Sequence, residues 1–247
     1  MNTKFTIYNE FGILPSKNYE AAGYDFYIPN IKNVSEEEHN KIIRYFSESY
    51  KCSVEKIVDI FKILRLHVSD KDEKGWNENT ALNILHLFLS VSSNFLTDEG
   101  TLENVDTETI YGDVDDFVRD YLVFKEDGTP GLKPSSGMYV LFNSGIRTYV
   151  GEGRVGIFMN KSGRATKGWD VRAQVVDEDY TGLVHLSAEF YRWNSTMGTI
   201  YCGDKFLQMI LLNIPKTDII EVDKTEFDNL HNDSKRGTDG FGSSDNR

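Results

Sequence analysis

The chain has 247 residues, of which 39% are hydrophobic and 13% aromatic, a composition typical of a globular protein with a sizeable core. Its formal net charge of −12 opposes nonspecific binding to nucleic acid or to an anionic membrane. No apolar run reaches the roughly 18 residues that a membrane helix needs. We therefore expect a soluble protein with no membrane partner and no direct nucleic-acid partner.

The cysteine content favours a reducing compartment. Cys52 and Cys202 are too few for a disulfide framework or a cysteine zinc site. The first residues lack the basic start and the apolar run of a secretory signal. We expect a cytoplasmic location. The five histidines lack the spacing of a paired metal site and are interpreted as ordinary core or surface residues.

The first third of the chain changes from strand-like to helical. Residues 1–31 contain short apolar and aromatic runs broken by glycine and proline, which predict short strands. Ser35 and Glu38 then form a capping-box pattern, and the hydrophobic period becomes that of a helix. The third helix is apolar around most of its circumference and is predicted to be buried. The predicted helices are 35–50, 53–68, 80–96 and a shorter one within 113–124.

The remainder of the chain is strand-like, with runs separated by glycine, asparagine, aspartate and proline. This pattern predicts a mainly β fold, an antiparallel barrel or jelly roll, that carries an inserted α-helical subdomain. The predicted β core comprises 1–31 and 128–234, the insertion 32–127, and a flexible glycine-rich arm 235–247. The predicted strands after the insertion are 137–150, 154–160, 170–177, 182–193, 198–214 and 218–222.

Three motifs are ambiguous when each is taken alone. "GEGRVG", 151–156, has the spelling of a dinucleotide fingerprint, but strand-like residues follow it, so a turn is predicted. "NKSGRATKG", 160–168, offers Lys161 and Ser162 to a phosphate, although such basic turns are commonly solvated loops. "QVVDEDYTG", 174–182, offers a general base and a sugar-packing tyrosine, or simply a polar hairpin with an acidic tip.

The C-terminal segment "KRGTDGFGSS", 235–244, combines a guanidinium, an aromatic ring and two hydroxyls among glycines. Glycine-dense tails are ordinarily loose ends, yet a plain linker rarely carries a phenylalanine. Such a segment could contact both ends of a nucleotide. The residues that would do so are Arg236, Gly240, Phe241, Gly242, Ser243 and Ser244.

Five separated stretches resemble, in order, the five motifs of the trimeric, all-β dUTPase family. They are "AAGYDFYIP", "NKSGRATKG", "QVVDEDYTG", "GDKFLQMIL" and "RGTDGFGSS". The resemblance covers about residues 1–31 and 128–247 and leaves out the helical block. It implies a dUTPase-like jelly roll or distorted β-barrel that hydrolyses dUTP to dUMP and pyrophosphate with the help of Mg²⁺. Such an enzyme limits the incorporation of uracil into DNA.

The resemblance also implies a role for each matching residue. Asp177 would activate the water that attacks the α-phosphorus, and Tyr180 would pack on the deoxyribose and disfavour a 2′-hydroxyl. Backbone groups of the third motif would read uracil, with Gln174 and Val176 among the substrate-binding residues. The phosphate contacts would come from Lys161, Ser162, Gly163 and Gln208.

Further expectations concern the metal, the tail and the assembly. Asp25 would hold Mg²⁺ through water, or would be a structural carboxylate that closes a turn. Phe241 would stack on uracil while Arg236, Ser243 and Ser244 close on the phosphates, so that the tail becomes ordered when substrate binds. The family's sites combine three subunits, which implies a homotrimer.

Three positions depart from the family pattern. Lys161 stands where arginine is usual, which keeps the charge but loses the planar fork. Arg164 replaces a residue that is usually apolar, and Gln174 stands where glycine is common. We expect these changes to affect specificity more than catalysis.

Two alternatives stay open at the level of sequence. A relative that deaminates dCTP shares the fold and needs a suitably placed glutamate, for which Glu189 is the nearest candidate. A nucleotide-sensing regulatory protein would instead use the insertion to bind a protein partner. The insertion could equally be a packed appendage, since amphipathic helices serve internal packing and external docking alike.

Overall fold

The computed structural model of the protein describes residues 4–18, 20–69, 77–91 and 102–230. Residues 1–214 form one compact unit and residues 215–247 a second one. No helix within the described ranges is long and apolar enough to span a membrane. The strands, the four long helices and the motifs of the described part all belong to the first unit.

The first unit contains three antiparallel sheets. In spatial order, one contains β1 (Thr6–Asn9), β5 (Tyr139–Tyr149), β9 (Leu183–Phe190) and β7 (Trp169–Val171). A second contains β2 (Tyr24–Tyr27), β11 (Lys205–Asn213), β6 (Arg154–Asn160) and β8 (Val175–Val176). The third contains β10 (Ile200–Tyr201), β4 (Pro130–Leu132) and β3 (Leu122–Phe124). This confirms the predicted mainly β, antiparallel fold.

Aromatic side chains fill the space between the two four-stranded sheets. Phe206 of β11 contacts Phe142 of β5 and Trp169 of β7, with ring centroids 5.4 and 5.3 Å apart. The indole nitrogen of Trp169 donates to the carbonyl of Gly198 at 2.7 Å, so its one polar atom is satisfied in the core. The alternation of side chains along each strand thus places one face of each sheet in a common interior.

The helical block lies between β2 and β3, as predicted. It contains α1 (Glu36–Tyr50), α2 (Val54–Ser69), α3 (Glu78–Val91) and α4 (Thr107–Asp116). The capping box at the start of α1 is confirmed: the Ser35 hydroxyl accepts from the amide of Glu38, whose carboxylate accepts from the amide of Ser35. Shorter helices follow, namely α5 (Ser162–Ala165), α6 (Ser195–Gly198) and α7 (Lys224–Leu230).

Helix α3 joins the insertion to the β core. Its residues 81–91 are all buried, which confirms the prediction from its apolar circumference. The Asn83 side chain accepts from the amide and donates to the carbonyl of Ile31, in the segment after β2, at 2.8 Å each. Buried residues of the helices and of the sheets form one continuous hydrophobic cluster. The insertion therefore packs on the sheets as part of the same core, while its exact boundaries stay a prediction.

Five sequence-based assignments need correction. Helix α4 begins at Thr107 and passes through a π-helical turn, Phe117–Tyr121, into β3, so the predicted helix within 113–124 is mostly not α-helical. No strand was predicted for 125–136, where β4 pairs with β3 because Gly128 supplies the positive φ of a tight turn.

The predicted strand 170–177 is interrupted, and its two parts, β7 and β8, belong to different sheets. The predicted strand 198–214 is also interrupted, and its parts, β10 and β11, likewise belong to different sheets. The predicted strand 218–222 is wrong. These residues are irregular, with Ile219 and Ile220 exposed, and no described strand pairs with them. A β-branched composition leads to a strand only where another strand offers its hydrogen-bonding edge.

Candidate active site

The second sheet brings residues of the first, second and fourth motifs together. Strand β11 pairs with β2 on one side and β6 on the other, so that Asp25, Gln208 and Met159 lie in one row across three strands. Residues directly opposite one another in antiparallel strands point to the same face of the sheet. The row therefore places Asp25 and Gln208 beside the end of β6, where Lys161 follows.

Asp25 is the centre of this group. Its side chain is 11% exposed, and each carboxylate oxygen accepts from a lysine: Oδ1 from Nζ of Lys161, and Oδ2 from Nζ of Lys205 at 2.9 Å. Burial by itself raises the pKa of Asp25, but the hydrogen bonds and charges of the two lysines outweigh burial and lower it. Two ammonium groups and one carboxylate give the group a net positive charge.

Lys205 was not assigned from the sequence, although it lies within the quoted fourth motif. Its hydrogen bond to Asp25 raises the pKa of the ammonium group above the ordinary lysine value. Its charge also lies over the ring of Tyr27, 5.8 Å from the centroid. The sequence did contain a signal for Lys205. This lysine follows a glycine turn by two residues and begins β11, and a charged side chain at the end of a strand can lie beside a binding site.

The second motif forms a short turn at the end of β6. Ser162 and Gly163 of α5 are exposed, and a Cβ built at Gly163 would touch nothing within 4 Å. Arg164 points away from them: its Nη2 donates to Asp204 at 2.9 Å and its Nε to the carbonyl of Lys205 at 3.0 Å. Arg164, which departs from the family pattern, thus connects this turn to the start of β11 by hydrogen bonds.

An asparagine outside the predicted site fixes the end of β6. The carbonyl of Asn160 accepts from Nε2 of Gln208 at 3.2 Å, and its side-chain amide donates to Asp170 at 2.6 Å. Its side-chain oxygen accepts from the amide of Val171 at 2.9 Å. These bonds hold the backbone immediately before Lys161 and orient Gln208.

The third motif forms the turn between β8 and β9, residues 177–182, which we call the 177–182 turn. The sequence suggested a hairpin, but β8 belongs to the second sheet and β9 to the first, so the turn crosses between sheets. Val176 is buried and pairs with Gly156 of β6, whereas Gln174 is exposed and its carbonyl accepts from the amide of Phe158 at 2.7 Å.

Asp177 is exposed at the start of this turn. The Tyr180 hydroxyl donates to the carbonyl of Leu183 at 2.6 Å, and burial raises the pKa of the phenol. The ring lies across the chain at Gly182, where an added Cβ would come within 2.6 Å of the hydroxyl oxygen. Glu178 accepts from the amide of Gly153 at 2.6 Å, which ties the 177–182 turn to the turn before β6. The "GEGRVG" stretch is therefore a turn, as predicted.

The two groups of predicted site residues lie at opposite ends of β6. Val176 pairs with Gly156, so Asp177 lies near the beginning of the strand, while Lys161 follows its last residue. At about 3.3 Å per residue, the two ends are separated by roughly 20 Å. One copy of the chain does not bring Asp177 to Asp25, Lys161 and Gln208.

A sequence-family model described as dUTPase matches residues 131–245. This match covers just under half of the chain and identifies residues 131–245 as a dUTPase domain. The match includes the second to fifth motifs and leaves β1–β3 and the helical insertion outside it. The search of curated proteins found no match.

Several solved structures are similar to this chain. The dUTPase of phage phi11 of S. aureus, described with a structural Mg(II) ion, is 17% identical over 39% of this chain and 80% of that one, with a TM-score of 0.34. A Staphylococcus bacteriophage 80alpha dUTPase with dUpNHpp is 16% identical over 46% and 80%, with a TM-score of 0.40. Another phage 80alpha dUTPase variant is 12% identical over 98% and 99%, with a TM-score of 0.48. All three scores lie below 0.5, too low to establish a common arrangement.

The glutamate considered for a deaminase already forms an ion pair with an arginine. Glu189 of β9 accepts from Nε of Arg172 at 2.9 Å and pairs across the sheet with Tyr139 and Asp170. A glutamate whose charge is already paired with a guanidinium is poorly placed to transfer protons to a substrate. The deaminase alternative is therefore not favoured.

The predicted tail residues lie outside the described residues. They are Arg236, Gly240, Phe241, Gly242, Ser243 and Ser244. Their roles stay predictions.

Proposed function

We propose that this protein hydrolyses dUTP to dUMP and pyrophosphate, and that it thereby limits the incorporation of uracil into DNA. The observation that carries the proposal is the positive group formed by Asp25, Lys161 and Lys205 beside Gln208, in a chain with a dUTPase domain. A local positive centre is needed to hold a triphosphate on a protein whose net charge is −12.

The proposed chemistry begins with Asp177. Its exposed carboxylate accepts a proton from a water molecule while the water oxygen forms a bond to the α-phosphorus. The bond from that phosphorus to the bridging oxygen breaks, and pyrophosphate leaves with the electron pair. Lys161, Lys205 and the Ser162 hydroxyl would stabilise the charge that develops on the phosphate oxygens.

Specificity for deoxyuridine would come from the 177–182 turn. Tyr180 is held across the turn by its bond to Leu183 and presents one ring face for packing on the deoxyribose. Backbone groups near Gln174 and Val176 would read the uracil edge, since the Val176 side chain is buried. The tail would then close the site, with Phe241 on the base and Arg236, Ser243 and Ser244 on the phosphates.

We propose a homotrimer because the two halves of the site lie at opposite ends of β6. A site that contains both Asp177 and Lys161 needs two copies of the chain, arranged so that the beginning of one β6 approaches the end of another. A cytoplasmic location is proposed from the cysteine content alone.

The donor set around Asp25 does not fit a metal ion bound directly by the protein. Both oxygens of Asp25 are bound by lysines, and the described part of the chain contains no group of three acidic, histidine or cysteine side chains suited to an ion. We propose that Mg²⁺ arrives with the triphosphate, where it would neutralise charge on the phosphate oxygens.

Complementation between two inactive variants tests the shared site. Asp177→Asn removes the base and Lys161→Met removes a phosphate ligand, so each alone should hydrolyse dUTP very slowly. When the two variants are co-expressed and purified through both of two different tags, every trimer contains both variants. One of its three shared sites then combines the two intact halves, so about a third of the wild-type sites should be restored. Pyrophosphate release measures the recovery.

The controls are each variant carried through the same procedure alone, and a mixture combined only in the assay cuvette. Recovery equal to the sum of the two separate activities would contradict a site shared between copies.

A further inference from the structure

A buried carboxylate connects the helical insertion to the β core. Glu10 follows β1, and its side chain is only 4% exposed. Its Oε1 accepts from Nε of Arg147 in β5 at 2.8 Å, and its Oε2 accepts from the hydroxyl of Tyr45 in α1. Nζ of Lys41, one turn before Tyr45, lies 3.8 Å from the same oxygen. Helix α1 therefore determines where the carboxylate that binds Arg147 is held.

Strand β5 is irregular just before Arg147. Its regular pairing with β9 stops at Asn143 and resumes only at the Arg147–Leu183 pair. Gly145 in between has a φ of +68°, and its carbonyl accepts from the amide of Glu10 at 2.9 Å. This irregularity is a β-bulge, which redirects the strand that follows it.

Helix α1 contacts the bulge at both ends. The Ser49 hydroxyl accepts from the side-chain amide of Asn143 at 2.5 Å, and the oxygen of that amide accepts from Gly145 N at 2.9 Å. At the other end, Tyr45 acts through Glu10 on Arg147. Ser49 and Tyr45 are one helical turn apart, so one face of α1 spans the bulge.

The pair that follows the bulge supports the proposed substrate-binding turn. Leu183 is the first residue of β9, directly after the 177–182 turn, and its carbonyl accepts from the Tyr180 hydroxyl. Arg147 is its partner in β5. The Tyr180 hydroxyl is thus bound to a residue whose partner in β5, Arg147, is held by α1 through Glu10.

We infer that helix α1 of the insertion positions the 177–182 turn through the β5 bulge, with Tyr45 and Ser49 as positioning residues. Neither touches the site. The inference rests on the proposed function, in which Tyr180 packs on the deoxyribose. It gives the insertion a role in substrate recognition that needs no external partner.

The first test compares two Tyr→Phe variants of the same helix. Tyr45→Phe removes the hydroxyl that binds Glu10. Tyr50→Phe is the matched control, because its hydroxyl also joins α1 to β5, at the carbonyl of Leu141 (3.2 Å), but does not bind the Glu10 carboxylate that holds Arg147. Amide hydrogen exchange is measured on peptides covering 175–184. We expect at least about fivefold faster exchange there in Tyr45→Phe than in Tyr50→Phe.

Kinetics provide the second readout on the same proteins. Tyr45→Phe should raise KM for dUTP about fivefold, with kcat within about twofold, and should reduce the preference for dUTP over UTP. A purely structural attachment would lower stability in both variants and leave that preference unchanged. Ser49→Ala should show the same changes as Tyr45→Phe and replaces it if that variant fails to fold.

Unchanged exchange in 175–184 for both Tyr45→Phe and Ser49→Ala overturns the inference, whatever the activity. If the wild-type protein fails to hydrolyse dUTP, the proposed function fails, and the exchange measurement still decides whether α1 positions the turn.

Discussion

Two lysines around one buried aspartate form a positive centre in an acidic protein. Lys161 and Lys205 together carry one charge more than Asp25 neutralises. A lysine in place of the usual arginine loses the bidentate fork, but the second ammonium supplies another donor from a different strand. The proposed phosphate binding would then depend on two separate ammonium charges, and Lys205 would replace part of the hydrogen bonding that an arginine provides.

A buried histidine makes stability depend on pH. His86 of α3 is fully buried, stacked on Phe46 with ring centroids 5.5 Å apart. The pKa of His86 is lowered to about 3, mainly by burial and also by the nearby His185, against an opposing hydrogen bond with the Asn143 backbone. The unfolded chain, with a histidine pKa near 6.5, binds a proton that the folded chain excludes. The stability that His86 contributes as a neutral group above pH 6.5 is therefore lost as the pH falls from 6.5 towards 3.

We predict that His86→Phe abolishes this part of the pH dependence. Between pH 7.5 and 5.0 the wild-type protein should lose about 2 kcal/mol of unfolding free energy through His86, a contribution that is absent from the phenylalanine variant. Urea unfolding of both proteins at pH 7.5 and 5.0 measures the difference. Equal losses in the two proteins would show that His86 does not titrate on unfolding.

Helix α3 illustrates how one polar side chain joins two elements. Asn83 pairs with both backbone groups of Ile31 and also donates to the carbonyl of Asn79 at 2.9 Å. These groups are buried, so each would be left unsatisfied if the amide were removed. The segment after β2 is thereby fixed to the insertion where the chain leaves the sheet.

We predict that Asn83→Leu destabilises the protein by about 2–4 kcal/mol despite its similar volume, because the Ile31 amide and carbonyl lose their partners. Ser35→Ala, which removes an exposed helix cap, should cost only about 1 kcal/mol. Chemical denaturation of both variants compares them. A loss at Asn83 no larger than that at Ser35 would contradict the assigned role.

Local elements were predictable where the residues that determine them lie close together in the sequence. The capping box at Ser35 and the apolar circumference of α3 depend on residues within a few positions, and both predictions are confirmed. The separation of β7 from β8 was not predictable, because it depends on which sheet each two- or three-residue segment pairs with. The same reason explains the wrong strand at 218–222.

At the scale of the molecule, the ordered motifs predicted the resemblance to the family and a site shared between subunits, but not the distance between the motifs within one copy. Lys161 and Asp177 are close in sequence, yet β6 separates their positions by roughly 20 Å. Lys205 and Arg164 were missed as partners of Asp25 and Asp204, because such contacts depend on strand register and not on spacing. The insertion shares its core with the sheets, so packing accounts for the burial of its third helix without a protein partner.

The most direct test of the central claim is pyrophosphate release from dUTP by the wild-type protein and by Asp177→Asn, with dCTP, dTTP and UTP as competing substrates. We predict Mg²⁺-dependent turnover selective for dUTP that falls about 10³-fold or more in the variant, because the attacking water loses its base. The variant should still bind a non-hydrolysable dUTP analogue. Turnover that is equal in the two proteins would contradict the role of Asp177, and a folded wild-type protein without dUTP turnover would contradict the proposed function.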